Sequence, residues 1–334
     1  MKRTLLLLVA FALTGALALW YLLTQNNDKT TLAGADRRFK VENPDEIYKI
    51  FIADRKEERI TLERKGDYWL YNGKWKANPN VIKNLLDAIT RIEIKYKPAD
   101  AAIQSMVESL STEGLKVEIY NKVNKKIKSY YVGGATADET GTYMIMEHAR
   151  QPYVAEIPNW VGNLRFRYSL KGDEWRDKTV FASRIDDIQS VTIEYPQQKN
   201  KSFRLQRAGN TFRIIPFYDI TPLIKRPYRE GSAEAFLDGF KNIGAEAIIN
   251  QNEKKDSITQ LLPFSIITLQ DKADSVYAIK LFPLFYATPV AGASSGSPNV
   301  ERYYAQNQNG DFLMVQHYVF KKILWGYDFF FENP

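Results

Sequence analysis

One long sequence pattern occurs twice in this chain of 334 residues, and it constrains the fold more than any other feature. The first copy covers residues 45–71 (DEIYKIFIADRKEERITLERKGDYWLY), and the second covers residues 186–214 (DDIQSVTIEYPQQKNKSFRLQRAGNTFRI). Apolar and polar residues alternate in both copies, which is typical of half-buried β-strands. Gly66 and Gly209 fall at matching places and mark the turn between the second and third strands. We therefore predict two related β-rich domains.

A helical pattern follows the three strands in each copy. In the first copy, apolar residues recur at helical spacing over residues 81–92, and Asn80 is the predicted N-cap. In the second copy, apolar residues share one helical face over residues 236–243, and Ser232 is the predicted N-cap. A shorter helix over residues 103–110 is predicted in the first copy alone.

Further strands follow these helices in both copies. They are predicted over residues 115–120, 127–132, 142–146 and 152–157 in the first copy, and over residues 266–269, 277–282, 302–305 and 312–315 in the second. Strand runs around a helix, with connections of hairpin length, are typical of the α+β class with antiparallel sheets. We predict two tandem β-rich α+β repeats, residues 39–170 and 171–334, each with antiparallel strands around one or two helices.

An uncharged apolar run, from Thr4 to Leu23, follows a short basic start. Twenty residues of helix span about 30 Å, which matches the hydrocarbon core of a bilayer. Residues 1–27 are therefore predicted to be a basic tail and a transmembrane anchor, and residues 28–38 a linker. The alternative is a cleaved signal peptide with a small-x-small site at residues 16–18, but the apolar run continues beyond that site.

Charge and cysteine content limit the location of the chain and its partners. The basic start predicts a cytoplasmic N-terminus, so we expect a single-pass protein of the inner (cytoplasmic) membrane with its bulk in the periplasm or outside. Basic residues after the run, such as Lys29 and Arg37, count against this orientation, but long domains translocate largely regardless of charge. The net charge is +7 with both signs interspersed, so nucleic acid is not a predicted partner. The lack of cysteine excludes disulfides, a thiolate zinc site and a cysteine nucleophile.

Several short motifs follow one another along the first copy. They are D-E-I-x-x-I-x-I at residues 45–52, L-x-R-x-G-x-x-W-L at 62–70, G-L-K-V-E-I-Y at 114–120, S-Y-Y-V-G-G at 129–134 and T-Y-M at 142–144. This order resembles the uncharacterised family known as domain of unknown function 4340, over most of residues 39–333. The second copy matches less well, since it has Phe212 in place of the tryptophan and lacks the V-G-G sequence. The resemblance implies a membrane-attached envelope protein near ABC-transporter or gliding-type accessory components, and it implies no reaction.

One motif has the form of a catalytic site. Residues 292–296 fit the G-x-S-x-G pattern of a serine-hydrolase nucleophile elbow, and Asp311 and His317 follow in the required order. The surrounding sequence ATPVAGASSGSPN is rich in small residues and has no helical pattern after it, which favours a flexible loop. The other histidine, His148, stands beside Glu147 but has no second ligand at zinc-binding spacing.

Other clusters have simple structural interpretations. A basic cluster, Lys122, Lys125, Lys126 and Lys128, is predicted to be a solvated hairpin tip, with contact to anionic lipid or wall polymer as the alternative. Residues 132–134 (V-G-G) lack the lysine and helix of a phosphate-binding loop and are predicted to form a β-turn. The aromatic residues 321–333 are predicted to form a last core strand, with an exposed docking patch as the alternative. The acidic pairs at 45–46 and 186–187 are predicted to be turns that lead into strands.

These features predict no catalytic, cofactor-binding or metal site, and no cofactor. We expect a non-enzymatic, membrane-anchored scaffold or accessory module that binds an envelope protein partner, in an ABC-transporter or gliding-type complex. An envelope glycan-binding module and a hydrolase are the alternatives. A shallow groove lined by Trp and Tyr would favour glycan binding, and clustered polar groups in a deep cleft would favour an enzyme. An apolar patch or an open strand edge would favour a protein partner.

Overall fold

The computed structural model describes residues 34, 36–56, 58–284 and 300–332. The predicted anchor at residues 1–27, most of the predicted linker and the G-x-S-x-G motif lie outside the described residues. Among the residues that are described, no helix is long and apolar enough to cross a membrane.

The chain divides into two compact units, Met1–Asp177 and Lys178–Pro334. Both consist mainly of antiparallel strands with few helices, so the predicted β-rich α+β class is confirmed. The division falls after Asp177, whereas the predicted division falls after residue 170. The segment between these two points contains Trp175, which is fully buried in the core of the first unit. The backbone carbonyl of Trp175 accepts a hydrogen bond from the N–H of Asn78 at 2.8 Å, which ties the segment to that unit.

The first unit contains a nine-stranded sheet and two helices. The strands are β1 (Lys49–Ala53), β2 (Arg59–Lys65), β3 (Tyr68–Tyr71), β4 (Trp75–Lys76), β5 (Glu93–Tyr96), β6 (Leu115–Tyr120), β7 (Lys126–Ala135), β8 (Thr142–Met146) and β9 (Tyr153–Glu156). The helices are α1 (Pro79–Arg91) and α2 (Asp100–Glu113). The strands lie in the order β4-β3-β2-β1-β6-β7-β8-β9-β5, and all neighbours are antiparallel.

Helix α1 packs against one face of this sheet. The side chain of Asn78 accepts a hydrogen bond from the N–H of Asn80 at 3.0 Å, and Pro79 occupies the first helical position. Asn78 is therefore the N-cap, and the prediction of Asn80 was wrong because a proline is favoured directly after the cap. The helix buries Ile82, Leu85, Ala88 and Ile89 in the core. Apolar residues recur every three or four positions and give the helix one apolar face, which packs on the sheet.

Helix α2 lies against the opposite face of the sheet, on β7 and β8. Successive residues of a strand point to opposite faces. Val132 belongs to the core under α1, so Gly133 faces α2. Leu110 is the α2 residue that is buried, and a Cβ atom added to Gly133 would lie 2.8 Å from its Cδ2. A glycine at this position therefore allows the close approach of helix and sheet.

The second unit contains an eight-stranded sheet, a two-stranded sheet and three short helices. The strands are β10 (Thr179–Phe181), β11 (Ile188–Glu194), β12 (Phe203–Ala208), β13 (Thr211–Pro216), β14 (Ile243–Gly244), β15 (Ala247–Ile248), β16 (Ser265–Asp271), β17 (Val276–Pro283), β18 (Arg302–Asn307) and β19 (Phe312–Gln316). The helices are α3 (Ser232–Asp238), α4 (Lys255–Thr259) and α5 (His317–Phe320). The large sheet has the order β13-β12-β11-β16-β17-β18-β19-β15, and β10 pairs with β14.

The two large sheets share one topology. If β4 is set aside, each strand of the first sheet has a counterpart in the second at the same place in the chain and in the sheet. Helices α1 and α3 both follow the third strand of this arrangement and both enter the core. Helices α2 and α4 also correspond in chain order, but α2 has 14 residues and α4 has 5.

Two predictions for the second unit are corrected. Ser232 is the first residue of α3 and not its N-cap, since its hydroxyl donates to the carbonyl of Phe330 at 3.3 Å. The C-terminal aromatic segment forms a 3₁₀ turn, Tyr327–Phe330, in place of the predicted strand. Tyr327 and Phe330 are buried while Phe329 is 56% exposed. Burial of every third residue fits the three-residue period of a 3₁₀ turn and not the alternation of a strand.

Candidate functional site: an apolar groove in the second unit

An apolar groove of about 650 Å³ lies on the large sheet of the second unit. Phe282 on β17 and Tyr304 on β18 are cross-strand partners and form its floor. Leu281, the residue before Phe282, belongs to the core that contains α3. Since neighbouring residues of a strand point to opposite faces, Phe282 and the groove lie on the face away from α3.

One wall of the groove comes from α4 and the turn that follows it. Ile258 lies in α4, and Leu261 and Leu262 follow its C-cap residue, Gln260. The side chains of these two leucines are exposed to 60% and 61%. Full burial of one leucine side chain is worth about 1.5–3 kcal/mol. Two exposed leucines on the rim of an apolar groove therefore form a surface whose burial by a partner would favour binding.

The local sequence explains why α4 is so short. Its N-cap residue, Lys254, makes no capping hydrogen bond through its side chain. Lys254 and Lys255 place positive charge at the N-terminal end, where the helix dipole disfavours it, and Asp256 in the first turn offsets this only in part. Pro263 follows the two leucines and disfavours helical geometry in the residue before it. Leu261 and Leu262 are therefore held in a turn, and not on the inner face of a longer helix.

The groove carries little charge. Among the described residues that line it, Lys254 is the charged side chain and Gln197 is the other residue with a long polar side chain. Lys280, on β17, is exposed and lies two residues before Phe282, so it points to the same face of the sheet. The surface is thus apolar with positive charge at its margin, which suits an apolar segment that carries acidic residues.

A smaller pocket, of about 300 Å³, lies in the first unit beside the β1–β2 turn. Arg165 lines it and donates to the backbone carbonyls of Val132 at 2.9 Å and of Glu113 at 2.7 Å. Burial lowers the pKa of the Arg165 guanidinium. The carboxylate of Asp54 accepts from the N–H groups of Lys56 and Glu58. Arg165 thus ties the end of α2 to β7, and Asp54 stabilises its own turn, so we assign both groups a structural role.

A further groove of about 430 Å³ runs beside α1 in the first unit. Tyr68 and Trp69 line it, together with Ile82 and Leu86 of the helix. Tyr68 is 41% exposed, but Trp69 is only 7% exposed. The accessible aromatic surface of this groove therefore comes mainly from one tyrosine ring.

Asp311 and His317, the two described residues of the hydrolase interpretation, lie far apart. Asp311 and His317 flank β19, and six residue steps along an extended strand correspond to about 20 Å. Asp311 accepts a hydrogen bond from the side chain of Asn250 at 2.9 Å, whereas Nδ1 of His317 lies 2.9 Å from the hydroxyl of Tyr303. Burial, assisted by Lys321, lowers the pKa of His317. An Asp–His hydrogen bond, which a catalytic triad needs, is absent between these two residues.

The other histidine and the acidic pairs lie in turns. His148 is exposed in the turn after β8, with φ of +66°. The pairs at residues 45–46 and 186–187 lie in the 3₁₀ turns Pro44–Glu46 and Ile185–Asp187, directly before β1 and β11. Within the described part of the chain, no group of three or more His, Asp or Glu side chains is placed to hold a metal ion.

The basic cluster and the V-G-G sequence also have clear positions. Lys122 and Lys125 lie at the exposed tip of the β6–β7 hairpin. Lys126 forms ion pairs with Glu118 and Glu147, and Lys128 donates to a backbone carbonyl at 2.6 Å. The predicted β-turn at residues 132–134 was wrong, because these residues lie inside β7. The glycine there serves the contact with α2 and not a turn.

The groove does not follow from the sequence patterns. Its residues come from four separate stretches of the chain, near positions 197, 254–264, 282–284 and 304. Periodicity assigns each stretch to a local element but does not show that they meet. The available signal was the leucine pair before Pro263: Ile258, Leu261 and Leu262 recur at helical spacing, and the proline ends the pattern at once.

These observations define a protein with two α+β units of one topology and an apolar groove on the second. The family described as Domain of unknown function (DUF4340) matches residues 69–260, from β3 of the first unit to the turn after α4 in the second. The match covers more than half of the chain, and the chain belongs to this family. A search of curated proteins and a search of solved structures each found no match.

Proposed function

We propose that this chain is a membrane-anchored accessory or scaffold module whose second unit binds a protein partner through the apolar groove. The observation that carries this proposal is the exposure of Leu261 and Leu262, at 60% and 61%, on the rim of a groove of about 650 Å³. Removal of this exposed apolar surface from water would stabilise a complex with a partner.

The proposed setting is the cell envelope. The uncharged run from Thr4 to Leu23 would anchor the chain in the inner membrane, with both units on the periplasmic or outer side. Proteins with this layout are expected beside membrane transport or motility machinery, of the ABC-transporter or gliding type. In this setting the groove would dock the module onto one protein of such a complex.

The test compares the full-length chain in native membranes with two double variants. L261E/L262E places two charges on the groove, whereas I220E/L223E changes two apolar residues of the same unit that are exposed to 76% and 61%. Crosslinking followed by affinity capture should recover one protein at similar yield with the wild type and with I220E/L223E. The groove variant should lower that yield at least tenfold, because the charges would be buried on binding. Equal recovery with all three chains, or recovery of no protein, would contradict the proposal.

Envelope glycan binding is the second candidate, and the groove beside α1 is the feature that favours it. Tyr68 offers an exposed aromatic ring there, and rings of this kind provide contact area with a polar tip. Retention of the soluble units on cell-wall glycan, abolished by Tyr68→Ala and unchanged by L261E/L262E, would support this candidate over protein docking.

A further inference from the structure

We propose that the occupant of the groove is an acidic amphipathic helix of the partner protein, which lies on the second unit's sheet in the place that α2 takes in the first unit. This inference rests on the proposed function, because it names the partner segment that the same groove would bind. Three observations lead to it: the register of the two sheets, the pairing of the floor strands, and the charges around the two positions.

The strand registers place the two sheets in correspondence residue by residue. Ile52 pairs with Val117 in the first sheet, as Ile193 pairs with Ile267 in the second. The next strands continue this match, with Leu115 opposite Val132 and Ser265 opposite Leu281. One residue further, Gly133 on β7 corresponds to Phe282 on β17, and β7 shifts its register against β8 between Val132 and Ala135. The floor of the groove is therefore the same part of the sheet that α2 covers in the first unit.

The two units cover this part of the sheet differently. In the first unit, Gly133 has no side chain, so Leu110 of α2 packs directly onto the strand. In the second unit, Phe282 fills the corresponding position and α4 ends after five residues. The leucines that follow α4 line the rim of the groove, and Phe282 itself is only 3% exposed, so side chains and not a long helix cover this part of the floor. Among the described residues of the second unit, no helix as long as α2 lies on this face of the sheet.

The floor strands favour a helix over an added strand. β17 pairs with β16 on one side and β18 on the other, and β18 pairs with β17 and β19. Their backbone N–H and C=O groups are therefore engaged within the sheet, and the N–H of Leu284 also donates to the carbonyl of Arg302 at 3.1 Å. A segment that lies across this face finds no free strand edge. It must satisfy its own backbone hydrogen bonds, and a helix does so internally.

The charges specify the kind of helix. Helix α2, which covers the corresponding face, has the sequence DAAIQSMVESLSTE with three acidic residues and no basic ones. At the groove, Lys254 lines the wall, and Lys280 is exposed on the floor side of β17. A partner helix with apolar residues at i, i+3 or i+4 and i+7, and acidic residues beside them, would complement both features.

The test first locates the partner segment. Photoreactive p-benzoylphenylalanine replaces Leu262 in the full-length chain, and irradiation of native membranes is followed by mass spectrometry of the crosslinked peptide. The mapped segment is then synthesised and its binding to the purified full-length chain is measured. We expect the free peptide to gain helical circular dichroism on binding. Alanine substitutions should weaken binding at least tenfold at three apolar positions with helical spacing.

Charge variants give an independent readout. Lys254→Glu should weaken binding of the peptide severalfold, and the difference from wild type should shrink at high salt because exposed charges are screened. Lys254→Arg is the matched control and should bind as the wild type does. An alternating pattern of sensitive positions, no gain of helicity, or no effect of Lys254→Glu would overturn the acidic-helix inference.

The outcomes separate this inference from the proposed function. If capture of the partner depends on Leu261 and Leu262 but the mapped segment binds in an extended form, only the helix inference fails. If capture of the partner does not depend on Leu261 and Leu262, the proposed function fails as well. Crosslinks to a second copy of this chain would replace the partner with self-association, and crosslinks to lipid alone, or none, would overturn both.

Discussion

Gly133 is the single residue on which the layered packing of the first unit depends most directly. An added Cβ would lie 2.8 Å from Leu110 Cδ2 and 3.1 Å from the backbone oxygen of Tyr143. Gly133→Ala should therefore lower the free energy of unfolding by about 1–3 kcal/mol through overpacking. Gly134→Ala is the control, because no atom lies within 4 Å of its added Cβ. Urea titration of both variants makes the comparison, and equal stabilities would contradict a close contact between α2 and β7.

Glu147 links the stability of the same unit to pH. Its carboxylate accepts from Lys126 at 2.8 Å and pairs with Lys116 at 3.0 Å. The hydrogen bond from Lys126 is the largest cause that lowers the pKa of Glu147. Burial raises this pKa, and the hydrogen bond from Lys116 lowers it further. The net effect takes the pKa from its ordinary value near 4.5 to about 2. A lowered pKa in the folded state means that the ion pairs stabilise above the unfolded pKa, and that this stability is lost as pH falls from about 4.5 to about 2.

Substitution of Glu147 tests this pH dependence. Glu147→Gln should lower the free energy of unfolding by about 1–3 kcal/mol at pH 7, since each unit of pKa shift corresponds to about 1.4 kcal/mol. The difference from wild type should shrink as the pH is lowered from 5 toward 2, when the wild-type carboxylate takes up its proton. Denaturant titrations across this range measure it. A difference that stays constant with pH would show that packing, and not charge, is lost.

At the scale of elements, the edge strand β13 is protected by one tyrosine. The hydroxyl of Tyr228 accepts from the N–H of Ile214 at 3.3 Å and donates to its carbonyl at 3.2 Å. These groups point away from β12, and Pro216, two residues further, has no N–H to offer. An unprotected edge strand can pair with another chain. The hydroxyl thus occupies the backbone groups that such pairing would use.

Removal of this hydroxyl should have two effects. Tyr228→Phe should lower the free energy of unfolding by about 0.5–1.5 kcal/mol through the lost hydrogen bonds. It should also increase self-association, measured by sedimentation velocity. Tyr318→Phe is the control, because Tyr318 is 70% exposed on α5. If both variants remain as monomeric as the wild type, protection of β13 does not depend on Tyr228.

Local patterns predicted many elements well, and the failures have particular causes. Residues 115–120 and 142–146 were predicted as strands and form β6 and β8 with the same bounds. The start of α1 was misplaced by two residues because Asn78 and Asn80 are both good caps, and the proline between them decides. Helix α4 was missed because five residues carry too little periodicity. The groove could not be predicted, since it depends on which face of β17 a short helix leaves open.

At the scale of the whole molecule, the repeated pattern indicated two related units but not the order of their strands. In each sheet, the strand before the second helix (β5 or β15) crosses to the far edge and pairs with the last strand, β9 or β19. Local sequence patterns do not indicate which distant strands pair with each other. The boundary after Asp177 was also missed, because the motif that opens the second copy starts later, near residue 186, and says nothing about the end of the first unit.

The cores of the two units are separate, which makes the boundary testable. One core cluster extends from Phe39 to Trp175, and the other begins at Phe181. A fragment of residues 36–177 should therefore unfold cooperatively in urea and keep a near-ultraviolet circular dichroism signal. A fragment of residues 36–170 lacks Trp175, so it should lose about 3–5 kcal/mol of stability, the usual cost of deleting a buried Trp or Phe side chain. Equal stability of the two fragments would show that Trp175 is dispensable, whereas failure of the longer fragment to fold would mean that the first core depends on the second unit.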